Sequence, residues 1–106
     1  MQEINESNFK SEVLDASQLV IVDFYASWCG PCRLLAPVLE AVGMANSNIK
    51  VVKVDVDNNP NVAVKYNVAS LPTIVFFKNG KPQTTLLGLQ SKERLQAEVD
   101  KLVSSG

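Results

Sequence analysis

The sequence predicts an α/β fold, a mixed β-sheet with helices on both faces. Three observations carry that expectation. Leu19 to Tyr25 is an apolar run of strand length, interrupted only by Asp23. Its continuity is that of a strand covered on both sides, as in a parallel sheet. Strand-like runs then alternate with helical patterns, the mark of a parallel crossover unit. Finally, Asn79-Gly80 joins two further runs as a type I′ hairpin turn, which adds an antiparallel part.

Each element follows from local chemistry. Asn5 or Ser7 is placed to cap a short first helix, with Glu6 near its positive end and Phe9 and Val13 one turn apart. After the Leu19 to Tyr25 strand, a long helical pattern runs from about Pro31 to Ala45, with Leu35, Val38, Leu39 and Val42 on one side. Pro31 falls in its first turn, where a missing N–H is harmless. Pro37 falls inside and should kink it. Val51 to Val56 reads as the second strand, with Val52, Val54 and Val56 on one face and Val51, Lys53 and Asp55 on the other. Asn58-Asn59-Pro60 supplies the cap and first residue of a short helix. Asn67 ends it, since Asn tolerates the left-handed conformation. Thr73 to Lys78 and Lys81 to Leu87 form the hairpin, and Pro82 marks its second strand as an edge. Ser91 caps a last helix whose buried stripe is Leu95, Val99, Leu102 and Val103.

Composition narrows the function. A length of 106 residues suits one domain, 1–106. The hydrophobic fraction of 46% and charged fraction of 20% are those of a globular chain. Ten basic and eleven acidic residues leave a net charge of −1, so no broad pull toward nucleic acid or an anionic membrane follows. The basic residues are scattered, without the aromatic interleaving of a strand-binding groove. No segment reaches the length of a membrane span. The start, Met1-Gln2-Glu3-Ile4-Asn5, has neither the positive n-region nor the apolar h-region of a secretory signal. The expected compartment is therefore the cytoplasm, or an organelle matrix if the chain is the mature form of a longer precursor. Two cysteines and no histidine fall short of the four ligands of a structural zinc site. They also rule out a Cys–His nucleophilic pair.

What remains is the pair itself. Trp28-Cys29-Gly30-Pro31-Cys32 lies between the first long strand and the long helix, a C-x-x-C in a β-to-α turn. Residues three apart on a helix lie about 5–6 Å apart at Cβ, close enough for a disulfide after a small adjustment. Cys29 should sit at the helix N-terminus, where free N–H groups and the positive dipole end favour thiolate, the nucleophilic form. Cys32 lies a turn deeper. A disulfide closing so short a loop removes only about 2 kcal/mol of unfolded-chain entropy, so a purely structural staple is the weaker use of it.

The chain resembles the thioredoxin family over nearly its whole length. The resemblance is carried by Trp28-Cys29-Gly30-Pro31-Cys32, Val22-Asp23-Phe24, Ala36-Pro37, Asp57 with Asn59-Pro60, Leu71-Pro72-Thr73, Phe77-Lys78-Asn79-Gly80 and Gly88. Tyr25 stands where many members have Trp, Leu71 replaces the usual Ile, and Ser70 stands where Gly also occurs. The resemblance implies a central five-stranded mixed sheet flanked by four helices, with Pro72 as a cis-proline facing the cysteines. It implies a thiol–disulfide oxidoreductase that reduces protein disulfides, with Cys29 as nucleophile, Cys32 as resolving thiol and Gly30-Pro31 keeping the turn rigid. A thioredoxin reductase would recycle it, with no bound cofactor and no metal. Disulfide-containing proteins are the expected targets, and a monomer the expected state.

Asp23 interrupts an apolar strand, and a buried carboxylate is costly unless paired. The resemblance gives it the proton of Cys32 to accept and return, and gives Lys53 as its partner. Trp28, Pro31, Ser70, Leu71, Pro72, Gly88 and Leu89 would form the docking surface, with the backbone before the cis-proline binding an extended segment. For Gly88 itself, a close backbone approach and a plain strand end remain equal alternatives. Two other functions stay open at this point: an oxidase or isomerase domain of the same fold, and a non-catalytic binding module.

Overall fold

A computed structural model describes residues 1–105; Gly106, the last position of the expected 1–106 domain, lies outside them. The strands are β1 (Gln2–Ile4), β2 (Leu19–Tyr25), β3 (Ile49–Asp55), β4 (Thr73–Lys78) and β5 (Lys81–Leu87), in the spatial order β1-β3-β2-β4-β5. β1 and β2 both run parallel to β3, while β4 is antiparallel to β2 and to β5. The helical elements are a π-helical turn (Lys10–Leu14), α1 (Gly30–Ala45), α2 (Pro60–Lys65) and α3 (Lys92–Ser104). The mixed five-stranded sheet with four helices is the architecture implied by the resemblance.

β2 lies at the centre, and its side chains divide between two cores. Val20, Val22 and Phe24 pack with Val13 of the π-turn and Val62 of α2. Leu19 and Ile21 pack with Leu35 and Leu39 of α1 and Leu95 and Val99 of α3. The uninterrupted apolar run is thus explained by burial on both faces. Asp23 continues the α1 side of this alternation.

The hairpin forms as expected, with Asn79 and Gly80 at positive φ (53° and 78°) and β5 at the sheet edge. Gly80 has a second constraint: a Cβ there would stand 2.8 Å from the Leu14 carbonyl oxygen. Asn67, also at positive φ (58°), follows α2 as expected.

Four local expectations differ from the structure. The first helix is only a π-turn, although Asn5 does cap the bend before it. Asn5 Oδ1 accepts from the amides of Ser7 (2.9 Å) and Asn8 (3.2 Å), and Asn8 Oδ1 accepts from the Asn5 amide (2.7 Å). Glu6 serves a different helix: its carboxylate accepts from the Asn61 (2.9 Å) and Val62 (3.2 Å) amides of α2. Asn59 precedes α2 but does not cap it with its side chain, which accepts from the Glu6 amide and donates to the Asp55 carbonyl, both at 2.9 Å. Val103 is 41% exposed, because the buried stripe of α3 passes through Glu98 instead. Glu98 is held by Arg94 and by Thr84 of β5, both at 2.9 Å.

Candidate active site

The loop after β2 delivers Cys29 as the residue capping α1, in extended conformation (φ −87°, ψ 112°). The Cys29 amide donates to the Ala26 carbonyl (3.1 Å), and Arg33 Nη1 donates to the Ser27 carbonyl (2.8 Å), so both ends of the loop are fastened. Cys29 and Cys32 form a disulfide, with Cα atoms 5.3 Å apart. The Cys32 amide points at Cys29 Sγ (3.2 Å). This is one of the free N–H groups of the first turn, aimed at the atom that carries the charge once the pair is reduced. Both cysteines are covered, Cys29 at 4% and Cys32 at 3% exposure. Pro31 sits in the first turn. A Cβ at Gly30 would meet nothing within 4 Å, so no packing contact demands glycine there.

A groove of about 560 Å³ opens on one side of the pair. Trp28, Ser70 and Leu71 line it together with Cys29, Gly30 and Pro31. The Leu71–Pro72 peptide bond is cis. Pro72 itself is buried, and its carbonyl accepts from the Gly88 amide (2.9 Å). Gly88 has φ +79°, and a Cβ on it would meet nothing within 4 Å. The left-handed conformation, not a close approach of backbone, explains glycine there.

On the other side lies a smaller cavity of about 130 Å³, lined by Cys32, Asp23, Lys53, Tyr25 and Arg33 among others. Asp23 is 2% exposed and its Oδ1 has no hydrogen-bond partner. Burial pushes its pKa up to about 7, against the opposing charge of Lys53. Lys53 is the register neighbour of Asp23 across β2 and β3. Direct pairing of the two, however, is not formed among the described residues. The Lys53 ammonium lies over the Tyr25 ring, 5.4 Å from its centroid, and acts on Asp23 through its field.

The thioredoxin family model matches residues 1–101, the stretch that holds this covered C-x-x-C disulfide at a helix N-terminus. The chain belongs to the thioredoxin family. A thioredoxin of Rickettsia felis is 41% identical over 101 residues, which cover 94% of this chain and 96% of the relative. Thioredoxin 1 of Synechococcus elongatus is 44% identical over 99 residues, 92% of each chain. The chloroplastic M-type thioredoxin of Spinacia oleracea is 40% identical over 105 residues, which cover 98% of this chain and 58% of that protein. This thioredoxin-family chain is accordingly a thiol–disulfide oxidoreductase of the protein-disulfide reductase type, with Cys29 and Cys32 as its redox-active pair. Membership also implies disulfide-containing targets and a reductase in general. No helix among the described residues is long and apolar enough to cross a membrane.

Some residues of the site were not assigned a part from sequence. Asp57 Oδ2 accepts from Trp28 Nε1 (2.8 Å), which fixes an indole that is 68% exposed. Val56, Ala63, Val64 and Val68 supply the apolar far wall of the groove. Asp57 was legible only as part of the family pattern; the need of an indole N–H for an acceptor was the available physical signal. Val56 lies just past β3, and its amide still donates to the Tyr25 carbonyl (2.9 Å).

Proposed function

We propose that this thioredoxin-family protein reduces protein disulfides in the cytoplasm or an organelle matrix, as a monomer, and is recycled by a thioredoxin reductase. The observation that carries the reading is the placement of the pair: Cys29 opens α1 beside an apolar groove, and Cys32 backs onto the Asp23 cavity.

The target docks as an extended segment against Trp28, Ser70, Leu71, Pro72 and Gly88, with the backbone before Pro72 offering hydrogen bonds. Cys29 thiolate, stabilised by the Cys32 amide and the helix terminus, attacks one sulfur of the target disulfide. A Cys29–target S–S bond forms, the target S–S bond breaks, and the second target sulfur leaves as thiolate and takes up a proton. The Cys32 proton then passes to the Asp23 carboxylate. The cavity between them is large enough for a bridging water, which needs only about 10–15 Å³. Cys32 thiolate attacks Cys29 Sγ, the mixed disulfide breaks, and the first target sulfur leaves as thiolate and receives the proton that Asp23 took from Cys32. The target has gained two electrons and two protons; the Cys29–Cys32 pair has given both electrons and the Cys32 proton, and the second proton comes from solvent, since Cys29 begins as thiolate. A reductase restores the dithiol by the reverse exchange. Lys53 keeps Asp23 from holding its proton too tightly, and Gly30-Pro31 keeps the two sulfurs close.

Equilibration against graded thiol–disulfide buffers, followed by Trp28 fluorescence and mass spectrometry, tests this. The expected midpoint is more negative than about −230 mV, below the glutaredoxin range. A midpoint at or above about −180 mV would move the assignment to an oxidase or isomerase. Failure to form the intramolecular disulfide would leave a binding module.

A further inference from the structure

We propose that Tyr25 is a positioning residue for the dithiol chemistry: its hydroxyl engages the Glu3 carboxylate while its ring carries the Lys53 ammonium, so that the charge of Lys53 stays beside Asp23.

The argument begins with register. Parallel pairing puts Glu3 of β1 beside Lys53 of β3, and Lys53 beside Asp23 of β2. Alternation puts all three on the α1 face of the sheet, because Ile4, Val22, Val52 and Val54 occupy the opposite face. One ammonium therefore stands between two carboxylates in a row. Glu3 is exposed and Asp23 buried, so an ion pair with Glu3 would cost less desolvation and be the favoured one. Among the described residues Lys53 forms an ion pair with neither. Tyr25 accounts for this. It lies two residues beyond Asp23 on the same face, and its hydroxyl donates to Glu3 Oε2 at 2.6 Å. The Lys53 ammonium then rests 5.4 Å from the ring centroid, within the range of an attractive cation–π contact. The hydroxyl keeps its proton: burial first, and then Glu3, push its pKa up.

The other groups around Asp23 do not compete for that role. The cavity that holds Asp23 is lined by Tyr25 from β2, Lys53 from β3, and Cys32 and Arg33 from α1; these are its only other titratable side chains among the described residues. Arg33 is turned to the Ser27 carbonyl. The β4 neighbour of Asp23 is apolar Ile74. Asp55 lies beside Tyr25 in the next register position. Without the Tyr25 hydroxyl, the Glu3 carboxylate is released, pairs with Lys53 and draws the ammonium out of reach of Asp23. Asp23 then holds its proton to higher pH.

The test is the titration of the Asp23 carboxyl carbon by NMR in the reduced protein. Tyr25→Phe keeps the ring and the fold, and should raise the Asp23 midpoint by about half a unit, the size expected when a unit charge recedes by a few ångströms. Adding Glu3→Gln should return the midpoint to its original value, because no carboxylate remains to capture Lys53. An unmoved midpoint in Tyr25→Phe overturns the proposal, and so does a rise that Glu3→Gln leaves in place. Only the kinetic consequence rests on Asp23 as the proton acceptor of Cys32. The pH profile of mixed-disulfide resolution should shift upward with the midpoint. If the midpoint moves and the profile does not, positioning by Tyr25 stands and the acceptor role of Asp23 falls.

Discussion

An ionised carboxylate at position 23 has nothing to bond its Oδ1, only the field of one lysine to offset burial, and a pKa raised from 3.8 to about 7. The sign of the resulting pH dependence follows. The folded state binds the Asp23 proton more tightly than the unfolded state, so it takes up more protons between about pH 4 and 7. Stability contributed by this group is fully present below its unfolded pKa and falls as pH rises through 7. The whole effect is up to about 4 kcal/mol at pH 8–9, given 1.36 kcal/mol per unit. Asp23→Asn should therefore be more stable than the parent in urea at pH 8.5 and close to it at pH 3.5, below the unfolded pKa, while resolving the mixed disulfide more slowly. Equal stability gains at both pH values would show that ionisation of Asp23 is not the source. Much at this scale was legible in the sequence. A carboxylate inside an apolar run marks itself, and so does a Cys pair bracketing Gly-Pro. The roles of Asp57 and Glu3 were not, because a hydrogen bond between residues 29 apart, as from Trp28 to Asp57, or 22 apart, as from Tyr25 to Glu3, leaves no local pattern.

Helix ends show how far local signals reach. Ser91 caps α3 as read, accepting from the Arg94 amide at 3.0 Å, because the cap and the capped groups are three residues apart. α2 instead takes its cap from Glu6, 55 residues from Asn61 in sequence. Pro60 offers no N–H, so Asn61 and Val62 present the first free donors, and the carboxylate from the N-terminal bend meets them. The two caps should behave differently when removed. Ser91→Ala should cost about 1 kcal/mol and leave the reduction of a protein disulfide unchanged. Glu6→Ala should cost a similar amount but also raise KM for a protein target, since α2 contributes Ala63 and Val64 to the groove. A Glu6→Ala variant with unaltered KM would show that α2 keeps its place without the cap. The short strand β1 was likewise invisible in the chain's own periodicity: three residues are too few to alternate.

Across the whole molecule, one sheet separates two cores that share the residues of β2 and β4. Val75 and Phe77 belong to the α2 side, Ile74 and Phe76 to the α1 side. Neither core can open without disturbing the strand between them. Leu39→Ala on one side and Phe77→Ala on the other should each cost about 2–5 kcal/mol. In both variants a single unfolding transition should be retained, seen alike by far-UV and near-UV circular dichroism. Two separated transitions in either variant would mean that the cores unfold independently. This layering was readable in advance because doubly buried strands are written as continuous apolar runs. The strand order beyond β2 was not, since sequence alone does not say on which side of β2 each later strand settles.

The Glu6 contact has one more consequence. Residues 5–8 form a small surface bend, the kind of segment that opens locally at little cost. Here that bend is fastened to the first turn of the helix walling the groove. If Glu6→Ala raises KM, fraying near the start of the chain and loosening of the target-binding wall are one event, and the grip on a target is coupled to the order of a bend that does not line the groove.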